Sequence, residues 1–186
     1  STTKNWSPSS TFFVSRGYPL HVKVGGTGTG NSWASALSDL KTAMDNAVYG
    51  DTIWVAGGTY KPTSTTDRTL SFNLKDGVVV YGGFAGTETD LKQRNWVVNK
   101  TILSGDIGVA DSKTDNSYSV ISCKGTLINP LGNKTRIDGV IVEKGSGGEQ
   151  GGGINLAYSS PVVCNVLFRN NSSNYHGGAC FAILNS

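Results

Sequence analysis

The stretch Ile137-Asp138-Gly139-Val140-Ile141-Val142-Glu143-Lys144-Gly145-Ser146 decides the reading of this chain, because it recurs 26 positions later. Its second copy is Val163-Cys164-Asn165-Val166-Leu167-Phe168-Arg169-Asn170-Asn171-Ser172. Apolar residues fall on apolar residues. Gly145-Ser146 falls on Asn171-Ser172, and Gly and Asn are the types that best tolerate positive φ. The match continues, with Gly151-Gly152-Gly153-Ile154 on Gly177-Gly178-Ala179-Cys180 and Ser160 on Ser186. A fixed period of this length marks an array, in which one unit cannot bury its apolar face alone and stacks on the next.

The local period chooses the array. Each apolar run is short, β-branched or aromatic, and bounded by Gly, Asn and Ser, which is the pattern of strand and turn. No helical spacing runs through this region, so helical repeats are excluded. Strands stacked in register along one axis form parallel sheets, with Val140 over Val166 and Val142 over Phe168 as interior ladders. The expected fold is therefore all-β: a right-handed parallel β-helix, or solenoid, with one N-terminal capping α-helix.

Upstream, Leu20–Val24 and Asp51–Ala56 are expected strands. They flank the loop Gly25-Gly26-Thr27-Gly28-Thr29-Gly30 and an amphipathic helix carrying Trp33, Ala36, Leu37, Leu40, Ala43, Met44 and Ala47 three and four apart. Asn31 or Ser32 is the expected N-cap and Gly50 the stop. Further strands are expected at Leu70–Leu74, Val78–Tyr81, Thr101–Leu103 and Tyr118–Ser122. The positions Val78, Ile102, Ile121, Val140 and Val166 imply one coil per interval, with loops of unequal length. The divisions expected are a tail over 1–19, a cap over 20–62, and coils over 63–186 that continue in a longer parent protein.

Composition narrows the function classes. The 25 glycines of the 186 residues lie in turn-like clusters, which excludes a collagen period. A net charge of +3 without a basic cluster argues against nucleic acid and anionic membrane. Three cysteines are too few for a disulfide framework and lack metal spacing, and Cys180, aligned with Ile154, is expected to be a buried filler.

Two groups of motifs carry a resemblance. Residues 21–62, with Gly50-Asp51-Thr52-Ile53-Trp54-Val55-Ala56 and Gly58-Thr59-Tyr60, resemble the opening of bacterial right-handed parallel β-helix proteins of the pectin-lyase-like superfamily. Val80-Tyr81-Gly82-Gly83-Phe84 and Thr101-Ile102-Leu103-Ser104-Gly105-Asp106 extend the likeness. Phe168-Arg169-Asn170-Asn171 and Gly177-Gly178-Ala179-Cys180 resemble the repeats of polymorphic outer membrane proteins. The earlier copy departs, with Val142 in place of Phe and Gly153 in place of Ala. This resemblance implies a secreted or surface-displayed bacterial protein, usually adhesive.

The remaining motifs test that implication. The glycine loop between a strand and a helix mimics a dinucleotide-binding opening. Its glycines run Gly26-x-Gly28-x-Gly30, however, and the second strand ends in Gly57 where an acid would hold a ribose. Glycosidases need two carboxylates flanking one bond. Stacking by 26 instead puts Asp138 on Cys164, Glu143 on Arg169 as a surface ion pair, and Glu149 on Tyr175. Asp106, Asp111 and Asp115, with Asn116, share a loop that is weighed for calcium and read as solvated. His176, aligned with Gln150, is read as a polar surface residue. Tyr158 and Tyr175 are candidates for stacking on sugars. The sequons at Asn99, Asn133 and Asn171 carry little weight in a bacterial protein. No catalytic, cofactor-binding or metal residue is assigned.

The expected function is a non-catalytic adhesin or structural stalk, secreted or on the bacterial surface and anchored through other parts of the parent chain. Its partners would be surface glycans, surface proteins or further copies of itself. The alternatives are the N-terminal part of a polysaccharide lyase or glycoside hydrolase, and a subunit of a surface fibre.

Overall fold

A computed structural model describes residues 16–148 and 151–183. Most of the expected N-terminal tail, and the stackings that involve Glu149, Gln150 and Ser186, lie outside the described residues.

The chain opens with β1 (Leu20–Val22) and α1 (Leu40–Asn46), then β2 (Thr52–Ala56), β3 (Gly58–Tyr60), β4 (Phe72–Asn73) and β5 (Val79–Phe84). It continues through β6 (Thr101–Ser104), β7 (Ile121–Lys124), β8 (Arg136–Asp138), β9 (Val140–Glu143) and β10 (Ser146–Gly147). The last strands are β11 (Ile154–Ala157), β12 (Val162–Cys164), β13 (Leu167–Arg169), β14 (Ser172–Ser173) and β15 (Cys180–Ile183). Every registered strand pair among the described residues is parallel.

Four separate sheets result, in the orders β1-β2-β5-β8-β12, β3-β6-β9-β13, β4-β7-β11-β15 and β10-β14. This corrects the expected architecture. In place of a single all-β right-handed β-helix solenoid, the described residues form four parallel sheets plus one helix, an arrangement consistent with an α/β chain. Register shows why the expectation failed. The 26-residue offset holds at the C-terminal end, where Ile137 pairs Val163, Ile141 pairs Leu167, Ser146 pairs Ser172 and Ile154 pairs Cys180. It does not extend upstream, where Val80 pairs Ile137, Phe72 pairs Ile121 and Ile102 pairs Ile141. The intervals drawn from Val78 to Ile102 to Ile121 to Val140 therefore join residues of different sheets and measure no coil. The two-stranded sheet β10-β14 is confined to the C-terminal part, and a register shift interrupts β2 against β5 between Trp54 and Ala56.

The helix is also shorter than its apolar spacing predicts. Asp39, not Asn31 or Ser32, caps it by accepting from the Lys41 amide at 2.8 Å. The preceding residues have other backbone partners: the Leu37 amide donates to the His21 carbonyl at 2.9 Å, and the Lys23 amide donates to the Leu37 carbonyl at 2.9 Å. Those two bonds hold Leu37 extended beside β1, so the helical pattern from Trp33 is overridden. Gly28 permits the strap to lie this close, since a Cβ there would meet the Ser35 carbonyl oxygen at 2.3 Å. Leu40, Ala43 and Met44 of α1 then join the main core with Val22, Ile53, Phe72, Ile121, Ile137, Val142 and Ile154. Full burial of each large side chain contributes about 1.5–3 kcal/mol.

Trp33, Ala36, Trp54, Ala56 and Phe84 form a second apolar cluster. His21 is 8% exposed at its border, with its ring 4.6 Å from Trp33 and 5.6 Å from Trp54 in edge-on geometry. Burial pushes the imidazole below its ordinary pKa, against the upward pull of the Gly30 and Pro19 backbone contacts. The unfolded chain therefore binds the proton more readily than the folded one. The stability held by neutral His21 is complete above about pH 6.5 and declines as pH falls through the interval between unfolded and folded values. Melting temperature measured from pH 7.5 to 4.5 should show this decline in the native protein and lose most of it in His21→Gln. An equal slope in both proteins would place the titration elsewhere.

Candidate functional site

The sheet β4-β7-β11-β15 presents a polar groove. Period-two alternation turns Phe72, Ile121 and Ile154 inward, all at most 1% exposed, and leaves the next residue of each strand outside. Register then sets Asn73, Ser122, Asn155 and Phe181 side by side across the four strands. Neighbouring parallel strands lie about 4.8 Å apart, so this row repeats at a spacing suited to an extended ligand. Asn73, Ser122 and Asn155 of this row, with Thr69, Ser71, Tyr118, Ser119, Lys124 and Gly148, line a groove of about 680 Å³. That volume falls within the range of small-ligand sites.

The walls are held from below and from the side. The Ser71 hydroxyl donates to the Ser119 carbonyl at 2.6 Å, tying the loop before β4 to the loop before β7. Arg68 places its guanidinium 4.4 Å from the centre of the Tyr118 ring. Its Nε donates to the Asn116 carbonyl at 2.7 Å and its Nη2 to the Ser146 carbonyl at 3.2 Å. Tyr118 is thereby fixed while 40% of its surface stays exposed. The lining offers hydroxyls, amides, one ammonium and one aromatic ring. These groups hydrogen-bond and stack. Among the described residues, no carboxylate or imidazole lines the groove.

The residues singled out in the sequence lie elsewhere. Asp106 and Asp111 are bridged by Lys144, whose Nζ lies 2.7 Å from Asp106 Oδ2 and 2.6 Å from Asp111 Oδ1. Burial raises the Asp106 carboxyl, and the Lys144 ammonium with the Asp111 amide outweighs it, so the group sits below the usual carboxylate range. The two carboxylates reciprocally hold Lys144 well above its ordinary value. Asp115 turns Oδ2 away to accept the Val109 amide at 2.7 Å. The sequence reads this loop as solvated rather than as a calcium site, and an ammonium lies between Asp106 and Asp111 of the Asp106–Asp111–Asp115 set. Among the described residues no group of three or more His, Cys, Asp or Glu is placed to hold a metal.

Glu143 pairs in register with Arg169, whose Nε donates to Oε2 at 2.6 Å. The expected ion pair forms, with the Glu143 carboxylate buried and the Arg169 side chain 44% exposed at the surface. Asp138 lies over Cys164 and accepts from two cations, Arg94 and Arg136, and from the Asn165 amide. Cys180 is exposed on β15, contrary to the expected buried filler. Tyr175 is 75% exposed and His176 stacks on Phe181 at 5.7 Å, while Tyr158 adopts a φ of 47°. The Asn99 and Asn171 amides bond to backbone groups, and Asn133 lies in an exposed turn.

The groove residues escaped the sequence because unequal loops hide their register. Only Asn155 against Phe181 was accessible, through the 26-residue offset. No family model, curated protein or solved structure matches this chain. The likeness to pectin-lyase-like proteins and to polymorphic outer membrane repeats thus rests on the quoted motifs alone. No helix among the described residues is long and apolar enough to cross a membrane.

Proposed function

We propose that this chain is a non-catalytic recognition module of a secreted or surface protein, holding a glycan in the groove of the β4-β7-β11-β15 sheet. The observation that supports this most is the composition of the groove wall. Asn73, Ser122 and Asn155 form an aligned row of hydrogen-bonding side chains beside Tyr118 and Lys124. Sugars present hydroxyls at short intervals and apolar ring faces, which such a row and such a ring complement. Stacked parallel strands supply the rigidity that keeps the row aligned without induced ordering of the protein. Glycoside hydrolysis needs an acid and a second carboxylate across the bond, and among the described residues the lining provides neither. An adhesive or stalk role in a larger assembly follows from the same surface.

A glycan array, run beside a reducing-end assay on the same polysaccharides, tests the proposal. Binding without new reducing ends is expected. Tyr118→Ala and Asn155→Ala should each weaken it about tenfold, the loss of one aromatic or hydrogen-bonding contact. New reducing ends would overturn the non-catalytic reading, and silence across the array would overturn glycan recognition.

A further inference from the structure

The loop between β6 and β7 contains three polar oxygens that have no partner among the described residues. They are Asp115 Oδ1, Asn116 Oδ1 and Ser117 Oγ, each shut off from solvent and without a hydrogen bond. Asn116 is 3% exposed and Ser117 is fully buried. Two of the three are pure acceptors, and one belongs to a carboxylate. Buried acceptors are nearly always satisfied, so three in succession call for a bound group that offers positive charge or protons. Nearby donors are committed elsewhere. Lys144 is engaged by Asp106 and Asp111, Arg68 by the Asn116 and Ser146 carbonyls, and the Val109 amide by Asp115 Oδ2.

We propose that Asp115 Oδ1, Asn116 Oδ1 and Ser117 Oγ hold one hard divalent cation, calcium being the best match. The donor set is all oxygen and carries a single charge, so backbone carbonyls and water must complete the 6–8 ligands that calcium takes. One carboxylate sets a weak site, with a dissociation constant of about 0.1–1 mM, the range of extracellular modules. The cation would lock the loop whose next residue, Tyr118, forms one wall of the groove. This assignment stands on the buried oxygens and is independent of what the groove binds.

Calcium titrated into chelator-treated protein tests it. Melting temperature should rise by about 5–10 °C at a hundredfold excess over the dissociation constant. Terbium should show saturable luminescence sensitised by tyrosine. Asp115→Asn and Ser117→Ala should each shift both midpoints at least tenfold, and a variant that melts as native in chelator shows that folding is intact. Should Asp115→Asn fail to fold, the smaller Ser117→Ala change alone reads the site. No response to calcium in the native protein would overturn the proposal, leaving an ordered water to satisfy the three oxygens. An equal response in the native protein and the variants would also overturn it, by placing the ion elsewhere.

Discussion

Arg94→Ala is expected to destabilise the protein by about 3–5 kcal/mol, the usual cost of breaking one side of a buried ion pair. Arg94 and Asp138 side chains are 9% and 6% exposed, and Nη2 lies 2.8 Å from Oδ1. The same guanidinium donates through Nη1 to the Gly82 and Asp138 carbonyls at 3.1 and 3.3 Å. Its flat faces meet aromatic rings, with centroids at 4.8 Å for Tyr81 and 4.7 Å for Trp96. The one side chain therefore fastens the excursion after β5 to the ends of β5 and β8. Gly139 makes room for it, since a Cβ there would lie 2.6 Å from Nη1.

Removing it leaves the buried Asp138 carboxylate with only Arg136 and Asn165 as side-chain donors. Burial pushes Asp138 up, and hydrogen bonds from Asn165, Arg94 and Arg136 together hold it below the ordinary range. The folded group thus has the lower pKa, so its contribution is present above about pH 3.9 and is lost as pH falls through the folded value. In Arg94→Ala that loss should begin at higher pH. Urea unfolding at pH 7 and pH 4 measures both effects. Arg94→Lys keeps the charge but not the planar fork, and should recover only part of the stability. A change below about 1 kcal/mol in Arg94→Ala would mean that the clamp is decorative.

The second large effect is expected at Val140→Asp. Val140 is 2% exposed in the main core, opposite Thr101 in register and one alternation from Val142. An unpaired carboxylate there costs several kcal/mol, comparable with the roughly 5–15 kcal/mol that holds a domain together. The variant should be unfolded or much less stable by circular dichroism and urea titration. Leu167→Asp is the matched control, because Leu167 is 53% exposed and pairs with Ile141, which points to the opposite face. Its cost should stay within about 1 kcal/mol. Equal stability of Val140→Asp and the native protein would refute the inward alternation of β9.

The two copies around Ile137 and Val163 were legible because the loops inside them have equal length. Offset alone then determines that Glu143 meets Arg169, Asp138 meets Cys164 and Ile154 meets Cys180. Short β-branched runs bounded by glycine likewise located β2, β5, β6 and β9 to within a few residues, since strand and turn preferences are local. The rest required the tertiary structure. The helix expected from Trp33 begins only at Leu40, because backbone bonds between Leu37 and β1 compete with helical ones and win. Phe72 against Ile121 and Val80 against Ile137 are separated by loops of dissimilar length, so no period in the chain announces them. The division into four sheets, the polar row Asn73-Ser122-Asn155 and the Lys144 bridge depend on those distant pairings. Local preference is written residue by residue, whereas register between distant strands is settled by which apolar faces can be buried together.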